Sequence, residues 1–197
     1  SIRNLYLDTP DFRLIRRSLE KPVYKEKLRL RSYGRADREH PVFMELKKKY
    51  RSIVYKRRLT LPYGRALDCL TGDCPWPETQ IGREIGYAMD FYPDLEPRVF
   101  LSYERDSWYA PESGLRITFD DAIRFRTADL TLDSDLWGTA LLRPDQVLME
   151  LKAPGAIPLW MVRLLTEMGL YKTSFSKYGT AYQILLEQEY KGGKRYA

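Results

Sequence analysis

An α+β fold, with enough antiparallel strands to close a barrel and with helices packed outside it, is what this sequence predicts. Short segments with period-two alternation follow one another at hairpin-like spacing, and helical patterns are inserted among them or appended, not alternated with them regularly. At 197 residues, with 44% hydrophobic and 13% aromatic side chains, the chain is the size of one domain with a substantial core.

The elements follow in order. "IRNLYLDT" (2–9) alternates as a strand and ends at Asp8-Thr9-Pro10, and "DFRLIRRSLE" (11–20) has helical spacing. "YKEKLRLRSY" (24–33) is a second strand. "PVFMELKKKY" (41–50) and "SIVYKRRLTL" (52–61) form a hairpin-like pair. Two helices are expected next, at 63–71 and at 78–92, where Ile81, Ile85, Ala88 and Met89 keep helical spacing. Strands return at 98–110, 115–127 and 146–153. "IPLWMVRLLTEMG" (157–169) reads as a helix with Pro158 in its first turn and Gly169 near its end. A last helix spans 176–190, and the tail "KGGKRYA" (191–197) is expected to be loose. No internal repeat or linker interrupts the pattern, so one domain over 1–190 is predicted.

Composition narrows the function classes. A mean hydropathy of −0.49 and the lack of any run near the roughly 18 apolar residues of a spanning helix argue against a transmembrane segment. The two cysteines, Cys69 and Cys74, have one histidine in the whole chain, His40, to share a zinc ion with, so reduced thiols and a cytoplasmic location are expected. The formal charge of +6 favours a polyanionic partner only if the cations are gathered in one place.

Alternation gathers them. In the second strand Lys25, Lys27, Arg29 and Arg31 point one way and Glu26, Leu28 and Leu30 the other. Glu45, Lys47 and Lys49 share a face in the next strand, Lys56 and Arg58 in the one after, and Arg116, Thr118 and Asp120 further on; Glu150 and Lys152 face away from Met149 and Leu151. An antiparallel sheet with one wet side accounts for any single strand. Cationic faces on five or six strands point further: if the apolar faces turn outward under the helices, the cations line a barrel interior. Such an interior is no dry core, because unpaired buried charge costs several kcal/mol per ion. It must hold water and, in use, a polyanion gripped by Arg forks and Lys charges. Glu45 and Glu150 would repel that polyanion unless a divalent cation joins them to its oxygens.

The blocks "SIRNLYLDTPDF", "KLRLRSYG", "VFMELKKK", "YKRR", "SYERDSWY", "LRITFD", "VLMELK" and "SFSKY", in this order, resemble the polyphosphate polymerase (VTC) domain of the triphosphate tunnel metalloenzymes. The resemblance runs to about Tyr178. It implies a basic tunnel of antiparallel strands that binds ATP with Mn2+ or Mg2+ and moves the terminal phosphoryl group onto inorganic polyphosphate. Carried over block by block, it implies catalytic roles for Arg29, Arg31, Lys47 and Arg116. It implies substrate binding by Lys27 in the wall, by Lys56, Arg105, Lys172 and Lys177, and by Ser176, which serves equally as a helix cap. Glu150 is implied as the metal carboxylate, with Glu45 its expected partner. The family's charged first strand is not seen in the sequence, and is expected ahead of Ser1.

Two alternatives stay open. A hydrolase of tripolyphosphate or nucleoside triphosphates would use a similar lining with water as acceptor. A non-catalytic polyphosphate- or nucleic-acid-binding module would use the cations alone. No specific nucleic-acid partner is expected, since cations directed into a barrel do not reach a duplex and the acids at 45 and 150 repel one.

Overall fold

The computed structural model describes residues 1–51 and 53–193. Its elements, in chain order, are β1 (Ile2–Asp8), α1 (Arg13–Leu19), β2 (Tyr24–Tyr33), β3 (Pro41–Tyr50), β4 (Ile53–Pro62), α2 (Tyr63–Thr71) and α3 (Gln80–Phe91). They continue as β5 (Glu96–Ala110), β6 (Leu115–Arg126), β7 (Thr139–Ala140), β8 (Leu148–Lys152), α4 (Leu159–Glu167) and α5 (Lys177–Gly193). All strand pairs are antiparallel. The order is β4-β3-β2-β1-β5-β6-β7, with β8 also on β6.

The predicted barrel is corrected to an open sheet. Among the described residues no ladder joins β4 to the far edge, and the sheet ends there in two short pieces. The two-residue β7 takes one end of β6, and the five-residue β8 takes the other. Neither is long enough to offer the ten-residue β4 a matching edge. The sheet still curls: the Glu150 carboxylate on β8 acts electrostatically on Lys47 of β3, five ladders away.

Period-two alternation sends the side chains of each strand to two faces of the sheet, and apolar layers form on both. Leu5 and Leu7 of β1, Leu28 and Leu30 of β2, and Met44 and Leu46 of β3 lie under α2 and α3, packed on Ala66, Ile85 and Ala88. This is the outer core that the sequence predicts. The opposite face is not uniformly polar. Tyr6, Val99, Leu101, Ile123 and Phe125 occupy it along β1, β5 and β6, and they are covered by Tyr178, Ala181 and Tyr182 of α5. Tyr6 is directly opposite Arg29 in the β1–β2 ladder, so α5 rests on the face that carries the cations. The expectation that helices pack only outside therefore fails for α5: apolar rows on the inner face of β1, β5 and β6 require a cover.

Local signals set the helix ends. Asp8 accepts from the Leu14 and Ile15 amides at 2.8 and 3.0 Å, and so caps α1 from the end of β1. Its second tie, from the Tyr178 hydroxyl at 2.8 Å, fastens α5 to the same point. Thr79 caps α3 through the Gly82 amide at 3.0 Å. Gly72, at φ +87, ends α2 in the left-handed conformation that glycine adopts without a Cβ clash. Residues 191–193, expected in a loose tail, continue α5, whereas the rest of that tail, 194–197, lies outside the described residues. No helix of the described residues is long and apolar enough to cross a membrane. Cys69 and Cys74 are free thiols 2.9 Å apart; burial and the neighbouring Cys74 push the Cys69 thiol up to about 12.

Candidate functional site

The inner face of β2, β3 and β4 is ordered in rows by cross-strand register. Arg29, Glu45 and Arg58 form one row, Lys27, Lys47 and Lys56 the next, and Lys25 with Lys49 the one beyond. Like charges directly opposite each other weaken a ladder. The lysine rows are thus a standing cost of this sheet, and among the described residues no acid lies within ion-pair distance of Lys27, Lys47, Lys25 or Lys49. Lys27 donates to Ser176 Oγ at 2.9 Å and Lys25 to the Ser18 carbonyl at 3.0 Å. Burial lowers the Lys47 and Lys27 pKa values, and nearby cations lower them further, while the Tyr6 phenol and, for Lys47, the Glu150 carboxylate act against this.

Glu45 anchors the arginine row. It is 2% exposed, and both oxygens are engaged: Arg29 Nε and Nη2 at 2.7 Å from Oε2, and Arg58 Nε at 2.8 Å and Lys56 Nζ at 2.7 Å from Oε1. Burial works to raise its pKa, but the surrounding cations, led by Arg29, hold it at about 2. Glu45 is therefore the shared counter-ion of the row in this structure, where the sequence expects the second metal carboxylate. A divalent cation would have to displace guanidinium and ammonium groups already satisfying its lone pairs. Arg31 is braced as well, its Nε donating to Asn4 Oδ1 at 2.9 Å and its Nη2 to the Tyr103 hydroxyl at 3.3 Å.

A second ion cluster lies where β5 and β6 extend past β1. Asp120, fully buried, receives Arg105 Nε at 2.5 Å and Nη2 at 2.7 Å, and also the Lys177 ammonium from the start of α5. Lys177 and Arg105 both lie over the Tyr103 ring, at 4.6 and 5.1 Å. Ser176, one residue earlier, accepts from the Gly179 amide at 3.1 Å, so it caps α5 and meets Lys27 at once.

Glu150 on β8 is half exposed and 3.1 Å from Lys152 Nζ. Directly across the ladder are Thr118 from Glu150 and Arg116 from Lys152. Arg116 is exposed and has no side-chain partner among the described residues, and the buried Thr118 Oγ1 also lacks one. The Glu150 charge acts on Arg105 as well as Lys47, which puts it at the mouth between the two cation sets. No group of three or more metal-ligating side chains is found among the described residues.

Of the expected site residues, Lys27, Arg29, Arg31, Lys47, Lys56, Arg105, Ser176 and Lys177 share this inner face or its margin, with Glu150 and Arg116 at the β6–β8 side. Lys172 is exposed on the connection before α5 and contacts none of them. Three contributors were placed by the sequence but given no site role. Alternation put Arg58 on the cationic face beside Lys56 and Asp120 on the polar face of its strand, without showing that either joins an ion cluster. Tyr6 lies in an apolar strand that gives no sign of its hydroxyl accepting from Arg29 Nη1 at 3.1 Å.

The comparisons agree with this geometry. A family model described as VTC domain matches residues 1–186. No curated protein is significantly similar to the chain. Among solved structures, that of a candidate adenylate cyclase from Bacillus halodurans superposes with a TM-score of 0.50 at 16% identity, covering 89% of this chain and 78% of that one. At that identity the likeness concerns the fold.

Proposed function

The chain belongs to the VTC domain family, and on that premise we propose that it transfers the terminal phosphoryl group of ATP to a growing polyphosphate chain, with a divalent metal ion. One domain, 1–190, carries the groups, with the cationic rows as the wall of a tunnel. The observation that carries this reading is the uncompensated lysine pairing, Lys27 opposite Lys47 and Lys25 opposite Lys49, beside an arginine row held in place by Glu45. Sheet stability gains nothing from such pairs, whereas an extended polyanion neutralises them in sequence.

In this reading Arg29 and Arg58 fork onto phosphate oxygens, and Lys47, Lys56 and Lys27 carry the chain along the next row. Arg105 and Lys177, oriented by Asp120, and the unpaired Arg116 approach the transferred group from the opposite wall. Positioning and charge neutralisation supply the catalysis, as phosphoryl transfer requires little covalent work from a protein. Glu150 is the carboxylate that fits a metal ion, because its oxygens are half exposed and faced by the partnerless Thr118 hydroxyl; Mg2+ or Mn2+ in such sites is completed largely by substrate phosphates and water. When bound, the metal spreads the negative charge that develops on the phosphate oxygens.

The test is a product assay with ATP and Mn2+, resolving long-chain polyphosphate, free phosphate and ADP, with Glu150→Ala and a chelator as controls. Long chains with ADP, lost in both controls, support the polymerase. Free phosphate without chains transfers the protein to the hydrolases. Absence of turnover with phosphate-chain binding that survives the chelator leaves a binding module.

A further inference from the structure

The aromatic side chains of the inner face are not equivalent. Tyr6 and Tyr103 are buried among the arginines, at 7% and 3% exposure, but Tyr33 is 49% exposed. Tyr33 is the next residue after Arg31 on the same face, about 6.8 Å along the strand. It meets Phe43 edge to face, with ring centroids 5.6 Å apart, and Phe43 is itself directly opposite Arg31 and has the Arg58 guanidinium 4.7 Å above its ring. Burial acts to raise the Tyr33 phenol, yet its pKa is lowered, because the Arg31 and Arg58 guanidiniums face its oxygen. At the other end of β2 and β3 the inner face offers only Lys25 and Lys49; the aromatic pair there, Tyr24 and Tyr50, stands on the outer face.

We propose that Tyr33, braced by Phe43, is the platform on which the base of a nucleoside triphosphate stacks, and that it distinguishes such a donor from a bare phosphate chain. The inference rests on the phosphate-transfer reading above and adds a polarity to it. The nucleoside end of the donor lies at Tyr33, and the phosphate chain runs through the Arg29–Glu45–Arg58 row toward Lys25 and Lys49. A base presents a flat apolar face with no charge, so an exposed ring next to the last arginine suits it and a lysine row does not.

The experiment is calorimetric binding of ATP and of tripolyphosphate, each with Mg2+, to the wild type and to Tyr33→Ala, Tyr33→Phe and Tyr109→Ala. Tyr109 is the control because it is a second exposed ring on the inner face, opposite Arg116. Tyr33→Ala is expected to weaken ATP about tenfold and leave tripolyphosphate binding as it was, with Tyr33→Phe close to wild type for both. Equal losses for both ligands would mean that Tyr33 acts through Arg31 and Arg58, and would overturn the platform. So would no loss for either ligand, or selective loss of ATP in Tyr109→Ala alone. Failure of the wild type to bind either ligand would instead remove the phosphate reading on which the inference rests.

Discussion

Arg29 and Glu45 face each other across the β2–β3 ladder, and two guanidinium nitrogens, Nε and Nη2, lie 2.7 Å from one carboxylate oxygen, Oε2. The other oxygen belongs to Arg58 and Lys56. One buried acid thus holds three cationic side chains in a fixed array before any phosphate arrives. Breaking a buried pair strands the remaining charges, and that defines a first prediction. Glu45→Gln should destabilise the protein by about 2 kcal/mol, below the full cost of a buried pair because Lys56 and Arg58 are more than a third exposed and screened by water. That corresponds to a melting temperature about 4 to 8 °C lower for a chain of this size. Added tripolyphosphate should raise the melting temperature more in Glu45→Gln than in the wild type, since it replaces the missing anion. An equal rise in the two would remove Glu45 from its counter-ion role.

The same carboxylate sets an acid limb. Its pKa falls from an ordinary 4.5 to about 2 in the folded protein, because Arg29 and its neighbouring cations overcome burial. A depressed carboxylate contributes stability that is complete above the unfolded value and is lost as pH falls through the folded one. Stability should therefore decline between about pH 4.5 and 2, and Glu45→Gln should show a shallower decline over that window. Chemical denaturation at a series of pH values measures it; parallel curves for the two proteins would contradict the prediction.

Lys27 and Lys47 make binding pH-dependent in the opposite range. Burial and neighbouring cations lower both below the ordinary lysine value, and a bound polyanion favours their charged form. Tripolyphosphate binding should take up protons in alkaline buffer, and affinity should fall as pH rises toward the ordinary lysine value of about 10.4. Calorimetry in buffers of different ionisation enthalpy reads the proton uptake directly. Lys27→Met combined with Lys47→Met should abolish it, and uptake unchanged in that double variant would place the titration elsewhere.

Ser176 has two duties that one substitution separates. As the cap of α5 it satisfies the Gly179 amide, and as a partner of Lys27 it orients an ammonium in the phosphate rows. Ser176→Ala should cost about 1 kcal/mol of stability. Ser176→Asp should retain the cap but place a carboxylate beside Lys27, so it should recover the melting temperature while weakening tripolyphosphate. If both variants bind as the wild type does, the Lys27–Ser176 contact has no part in phosphate binding.

The sequence alone determined most strands, the helices and the sidedness of the cations, because each depends on local periodicity. Alternation put Lys25, Lys27, Arg29 and Arg31 on one face, and α2 was bounded at 63 and 71 by its own helical pattern. Ordered blocks such as "KLRLRSYG" and "VLMELK" also led to the family that the comparison with known domains supports. What alternation cannot express is which charges meet. Lys177 and Arg105 converge on Asp120 from positions 57 and 15 residues away, and their meeting is fixed by how α5 rests on the sheet. Only the tertiary structure showed that Glu45 serves as a counter-ion, since that depends on how many cations reach a carboxylate's oxygens. The three-dimensional packing also brought α5 inside, because Tyr6 and Val99 share their face with Arg29 and had to be covered from that side. Closure was equally beyond local pattern: it depends on whether two distant edges match in length, and the division of the far edge into β7 and β8 left this sheet open.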